Sequence, residues 1–260
     1  MNSELVPFLV DKPVGSTPLE ALGALRRQLG LAVDMKLAYA GRLDPMASGL
    51  LVVLHGELLK DQEKFWHLNK VYEASIALGL GSDSYDVLGL AELTDAVTPN
   101  DPHIITAVRS LVGKTLLSVP TYSSHRFKGR PLFQWARENE PAEIPVRRMA
   151  VSEVEVQDIE RLALMDIAQT AIERCGLVHG DFRQEDICAR WRELAQKEGP
   201  RSVPVVRLTL ACESGTYVRS LAHELGRRLK TAGLLLELQR TVVGPFRLNA
   251  PAVVRFAWPQ

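Results

Sequence analysis

Three short stretches hold side chains that could do chemistry. In AYAGRLDPMASGLLVV (38–53) one carboxylate, Asp44, sits among small and apolar residues. A buried carboxylate without a partner is costly. Asp44 therefore either forms a turn by bonding to its own backbone, or meets a cation that keeps it ionised and aimed as nucleophile or base. Gly41 and Pro45 fix the loop, and Gly49 lets the following backbone approach closely. In SGTYVRSLAHELG (214–226), Ser214 and Gly215 make a tight entry and Thr216 can cap. Arg219 then falls on the first helical turn, with Tyr217 nearby. An arginine so placed either enters a cleft, where it can hold a carboxylate in fork geometry, or lies on the surface. Tyr72, in KVYEA, is either core or a platform on which a nucleobase stacks.

These residues need elements to position them. PFLVD (7–11) reads as a short apolar strand. STPLEALGALRRQLG follows as a helix, with Ser16 or Thr17 as cap, Pro18 in the first turn, and Leu22, Leu25 and Leu29 at helical spacing. KVYEASIALG (70–79) alternates, with Tyr72, Ala74, Ile76 and Leu78 on one face. DPHIITAVRSLVG (101–113) reads as a helix closed by Gly113. SEVEVQ (152–157) and VVRLTLAC (205–212) alternate as strands. GTYVRSLAHELGRRLK (215–230) reads as a helix and LLLELQRTVV (234–243) as a strand. Strands and helices interleave without regular βαβ spacing, which predicts an α+β fold: a mixed, largely antiparallel central sheet with flanking helices. Residues 1–260 read as a single catalytic domain. Residues 159–203 differ in texture and read as an inserted helical hairpin, RLALMDIAQTAIERCG and QEDICARWRELAQKEG joined by LVHGDF.

Composition narrows the class. Hydrophobic residues are 46% and charged residues 24%, ordinary for a globular protein. No leader is read in MNSELVPFLVDKP, and no apolar run is long enough to span a membrane. Cys175, Cys188 and Cys212 have no CxxC spacing, so reduced thiols in the cytoplasm are expected, with no metal site. Net charge is zero, but residues 201–260 hold nine Lys or Arg against three acids. A second basic knot is SHRFKGR (124–130). Local basic faces suit a polyanion better than the total does.

The segments together resemble the TruB-type tRNA pseudouridine synthases. VDKPVGSTPLEAL is similar to their first motif and YAGRLDPMASGLLVV to the second, whose Asp is catalytic in the family. KVYEASIALGLGSDSYDVLG, VPTYSSHRFKGRPLFQWARE, CESGTYVRSLAHELGRRL and LQRTVVGPF are similar to later motifs, in the family's order, from residue 9 to 248. The resemblance implies that Asp44 is the nucleophile and Arg219 its ion-pair partner. It implies that Tyr72 stacks on a flipped uracil and that Tyr217 lines the pocket. The implied substrate is the T-loop uridine at position 55 of tRNA, bound through the T-arm by a monomer, without metal or cofactor. The C1′–N1 bond breaks, the base rotates, and it is rejoined through C5; attack at the sugar and attack at C6 of the ring both remain open. Lys12, Arg126, Lys128, Arg130 and Arg240 are the implied phosphate or pocket-rim contacts.

Three features depart from the family pattern. Tyr39 stands where the bacterial family usually has His, a residue that helps hold displaced T-loop nucleotides. Pro18 replaces the usual Ser after Thr17. The chain is expected to lack the C-terminal RNA-binding PUA domain of many members. Two rival readings accompany the main one. HGDFRQED (179–186) is similar to the catalytic loop of small-molecule phosphotransferases, with Asp186 where their metal-holding Asn stands and no Gly-rich phosphate loop ahead of it. The other rival is a tRNA-binding or tRNA-folding module without turnover.

Overall fold

The computed structural model describes residues 6–94 and 98–256. Residues 1–5, on which the absence of a leader was read, lie outside the described residues. In chain order the first elements are β1 (Phe8–Lys12), α1 (Pro18–Gln28), β2 (Leu37–Tyr39), β3 (Ser48–His55), a 3-10 turn over Gly56–Asp61, and α2 (Gln62–Trp66). Next come β4 (Lys70–Leu78), β5 (Leu80–Ser82), β6 (Ala91–Leu93), α3 (Asp101–Arg109), β7 (Gly113–Ser118), β8 (Arg126–Phe127), β9 (Arg130–Pro131) and α4 (Leu132–Arg137). The last are β10 (Val146–Ala163), α5 (Leu164–Gly176), α6 (Gln184–Glu198), β11 (Ser202–Cys212), α7 (Val218–Arg228), β12 (Gly233–Val243), β13 (Phe246–Arg247) and β14 (Val253–Arg255).

Ten strands form one sheet along the path β14-β1-β3-β12-β4-β11-β10-β7, with β2 added to β3 and β13 to β12. Among the described residues, the strand pairs β1/β14 and β3/β12 of this sheet run parallel and the others antiparallel. The architecture is the mixed, largely antiparallel α+β sheet expected. β3 explains the unbroken apolar run that follows Asp44: Leu50, Val52 and Leu54 enter one core cluster, while Leu51 and Val53 enter another with Ala21 and Leu25 of α1. A strand covered on both faces reads as continuous hydrophobe. The main core lies on the other half of the sheet, where α3, α5, α6 and α7 cover β4, β11 and β12.

The cap of α1 is Thr17, closed by a capping box with Glu20. Two boundaries differ from the sequence reading. The helix after Asn100 ends at Arg109, and Gly113, at φ +113°, opens β7 instead of closing the helix. Residues 159–163 are strand: β10 continues to Ala163 by pairing Ile159–Ala163 with Ser202–Val206 of β11. Cross-strand hydrogen bonds and the Arg207–Glu160 ion pair (2.6 Å) outweigh the helix propensity of RLA. The helical hairpin is thus α5 and α6 alone. Its anchor is Trp191, fully buried, whose indole donates to the Val87 carbonyl at 3.1 Å.

Candidate active site

Asp44 sits in the loop between β2 and β3, and three neighbours hold that loop from behind. Arg240 of β12 donates from Nε to the Leu50 carbonyl (2.8 Å) and from Nη1 and Nη2 to the carbonyls of Arg42 (3.0 Å) and Gly41 (3.3 Å). Gly15 donates its amide to the Pro45 carbonyl at 2.8 Å. Gly49, at φ +102°, lets β12 come so close that a Cβ there would lie 2.4 Å from the Arg240 carbonyl oxygen. The loop's flanks are buried (Leu43, Met46, Ala47), while the Asp44 side chain stays 36% exposed to a cleft.

Arg219 lies on the first turn of α7, 4% exposed. Its Nε is 2.9 Å from Asp44 Oδ2 and 3.5 Å from Asp86 Oδ2. The Nε–H is not aligned on either oxygen, so the contact is an ion pair with room to tighten. Nη1 is fixed by the carbonyls of Ser84 (3.0 Å) and Tyr122 (3.1 Å). Burial pulls the Arg219 pKa down, but Asp44 and Asp86 more than offset it, and the net direction is up. Burial pushes Asp86 up, while Arg219 and the Ser84 hydroxyl work against that. Asp86 also accepts from the Leu88 amide at 2.9 Å. Tyr85, at φ +64°, stacks on His223 with centroids 4.2 Å apart and so fixes the backbone beside Asp86.

Two cavities meet at Asp44. One of about 580 Å³ is lined by Tyr39, Leu43, Asp44, Tyr72, Tyr217 and Arg240, among others. The second, of about 280 Å³, shares Tyr39, Arg42, Leu43 and Asp44 and extends to Asp86, Tyr122, Phe182 and Arg183. Burial raises the pKa of both Tyr72 and Tyr217. A larger groove, of about 770 Å³, runs over Glu73, Gln157, Arg207 and Thr209 and does not reach Asp44.

The structure thus brings Asp44, Arg219, Tyr72, Tyr217 and Tyr39 to one cleft. Tyr39 is half-buried, and its hydroxyl accepts from Arg42 Nη1 at 3.2 Å. Two of the expected phosphate or pocket-rim contacts are buried and bonded to backbone carbonyls. Lys12 is fully buried, and its ammonium donates to the carbonyls of Pro13 and Ser16, both at 2.8 Å. Burial pulls its pKa down to about 7, opposed by Asp44. Arg240, 1% exposed, is spent on the Asp44 loop. Neither offers its charge to a phosphate at the surface. Arg126, Lys128 and Arg130 stand on the β8–β9 hairpin, outside both cavities. Arg130 is engaged by Glu138 (2.7 Å) and Glu140 (3.1 Å). His179 and Asp181 of the phosphotransferase-like segment are largely exposed, near Glu20 and Arg137, and line neither cavity. Sequence reasoning missed Asp86. Its only signal was an acid in the Gly-ended tail GSDSYDVLG.

The fold is one already seen in solved structures. The chain superposes with a TM-score of 0.59 on a protein of a Cbf5-Nop10-Gar1 complex, at 22% identity over 96% of this chain and 51% of that one. A second match, TM-score 0.57 at 20% identity, covers 96% of this chain and 50% of a chain from an H/ACA RNP bound to a substrate RNA containing 2′-deoxyuridine. At these identities the likeness defines the class of fold. Residues 26–171 match the N-terminal domain of the TruB family pseudouridylate synthases, and the chain belongs to that family. Curated relatives include the tRNA pseudouridine synthase B of Aromatoleum aromaticum, 34% identical over 93% of this chain and 64% of that one. That of Caldicellulosiruptor saccharolyticus is 30% identical over 94% and 69%, and that of Opitutus terrae 31% over 93% and 82%. The chain thus spans about two thirds of the length of the first two.

Proposed function

We propose that this protein isomerises a uridine of tRNA, the T-loop uridine at position 55, to pseudouridine. The observation that carries the reading is the Asp44 carboxylate, open to a cleft and held 2.9 Å from a buried arginine between Tyr72 and Tyr217. A base inside a folded RNA loop must be extruded before it can react. Tyr72 gives the flipped uracil a ring to stack on, and Tyr217 closes the pocket. Arg219 aims Asp44, which attacks either C1′ of the ribose or C6 of the ring. The C1′–N1 bond breaks, the base turns, a C1′–C5 bond forms, and the bond that Asp44 made breaks, returning the free carboxylate. C5 then loses its proton and N1 gains one, so the step is redox-neutral. The apolar walls at Leu43, Val218 and Leu238 keep water from hydrolysing the intermediate.

Asp44, Arg219, Tyr72 and Tyr217 carry the reaction, and the family resemblance favours those roles. Arg42, against the Tyr39 hydroxyl, returns a positive charge to the position where a histidine is usual. Arg126, Lys128 and Arg130 suit phosphate contact from an exposed hairpin. The protein acts as a cytoplasmic monomer and single catalytic unit, with α5–α6 as an insertion. Among the described residues no helix is long and apolar enough to cross a membrane. The test is pseudouridine mapping in tRNA lacking the modification, with wild type and Asp44→Asn. Wild type converts the T-loop uridine and Asp44→Asn does not. Conversion by Asp44→Asn overturns the mechanism, and wild type that binds without converting makes the protein a binding module.

A further inference from the structure

The hairpin turn joining α5 to α6 is built into the catalytic cleft. Leu177 lies against the β1–α1 turn so closely that a Cβ on Gly15 would be 2.5 Å from the Leu177 carbonyl oxygen. Gly15 is also the donor to Pro45, next to Asp44. On the other side Arg183, in left-handed conformation at φ +60°, pairs with Asp83 at 2.8 Å and lies 3.9 Å over the Tyr122 ring. Arg137 of α4 lies 5.3 Å from the rings of both Phe133 and Phe182, and bonds the Asp181 carbonyl. The turn therefore bridges the two walls of the cleft and completes the cavity of about 280 Å³ next to Asp44.

The lining of that cavity has a definite chemistry. Four half-buried rings, Tyr39, Tyr122, Phe133 and Phe182, stand with four guanidinium groups, Arg42, Arg137, Arg183 and Arg219, against two lining carboxylates, Asp44 and Asp86. Both carboxylates face Arg219 and Asp83 holds Arg183, so the positive surplus lies on Arg42 and Arg137, the latter 3.9 Å from the exposed Asp181. Rings and guanidinium planes stack on nucleobases, and the surplus charge suits the phosphate that comes with a base. The volume holds a base. Resting on the RNA-isomerase reading above, we propose that the α5–α6 turn completes a second nucleobase subsite, taking the base of an RNA residue that neighbours the flipped uridine. Phe182 is its outer wall and Phe133 its inner wall. No residue of this turn touches the reacting atoms; its role is to hold the RNA.

The experiment uses the full chain and T-arm hairpin RNAs in which each nucleotide flanking the target uridine is made abasic in turn. Dissociation constants and initial rates are measured for wild type, Phe182→Ala and Phe182→Tyr. Phe182→Ala is expected to weaken binding of the intact RNA between about fivefold and a hundredfold, the range that one base–ring stack supports, with the effect in KM rather than kcat. Phe182→Tyr restores it. For one abasic position the Phe182→Ala penalty disappears, because the stacking partner is already gone. A penalty equal on every RNA, or none on the intact RNA, overturns the proposal. Phe133→Ala repeats the pattern if Phe182→Ala fails to fold. Because binding is read independently of turnover, wild type that converts no uridine refutes the isomerase reading alone.

Discussion

Replacing Arg240 separates two roles that its sequence position leaves equal, phosphate contact and loop clamp. In Arg240→Gln the side-chain amide can keep one of the three bonds to the Gly41, Arg42 and Leu50 carbonyls. Two bonds from a charged donor are lost, at about 1.5–3 kcal/mol each, so the cost is about 3–6 kcal/mol. Relief from burying the guanidinium works the other way, which makes this the upper figure. At about 2.1 cal/mol/K of unfolding entropy per residue over 260 residues, the melting temperature falls by about 5–11 °C. The clamp also holds Asp44 in place, so the single-turnover rate falls while RNA affinity changes little. The assay is thermal melting together with RNA binding over a salt series. A lost phosphate contact would flatten the log–log salt slope by about 0.7–0.9; a lost clamp leaves it unchanged. A melting temperature within about 2 °C of wild type, with a flatter slope, would refute the reasoning.

Three further outcomes follow from the same geometry. Asp86→Asn keeps the acceptor for the Leu88 amide but removes the second carboxylate facing Arg219; the single-turnover rate should fall at least about tenfold with a stability loss of about 1–3 kcal/mol, and an unchanged rate in rapid-quench measurements would exclude Asp86 from positioning Arg219. Asp44→Asn should abolish conversion of tRNA while retaining binding, read by pseudouridine mapping and filter binding. Lys12 gives a pH signature: its folded pKa of about 7 lies below the model-peptide value of 10.5, so between those values the unfolded chain binds more protons and stability rises with pH. Denaturant titrations from pH 7 to 10 should show wild type gaining stability relative to Lys12→Met, and parallel curves would show that Lys12 stays charged in the folded protein.

Local signals were legible where the chain's own periodicity was enough. The alternation of KVYEASIAL and the cap before PLEALGALRRQ each depend on neighbours a few residues away, and β4 and α1 follow them. The hairpin boundary was not legible, because RLA is a helix-forming string until Ser202–Val206 pairs with it. The burial of two basic residues was not legible for the same reason. Lys12 and Arg240 look like surface cations in any window, and only the meeting of β1, β3 and β12 buries them against carbonyls.

The sequence by itself determined the class of fold, the family, and the loop in which Asp44 is isolated among small and apolar residues. A carboxylate's isolation is a property of its neighbours along the chain. Its partners are not. Arg219 is brought to 2.9 Å by the packing of α7, and Asp86 to 3.5 Å from the same nitrogen by the loop that Trp191 anchors. Tertiary structure alone decided which cations are spent on backbone carbonyls and which face the cleft. It also decided that the α5–α6 turn forms a wall of the site, because burial and approach between distant segments are fixed only when the sheet and its covering helices assemble.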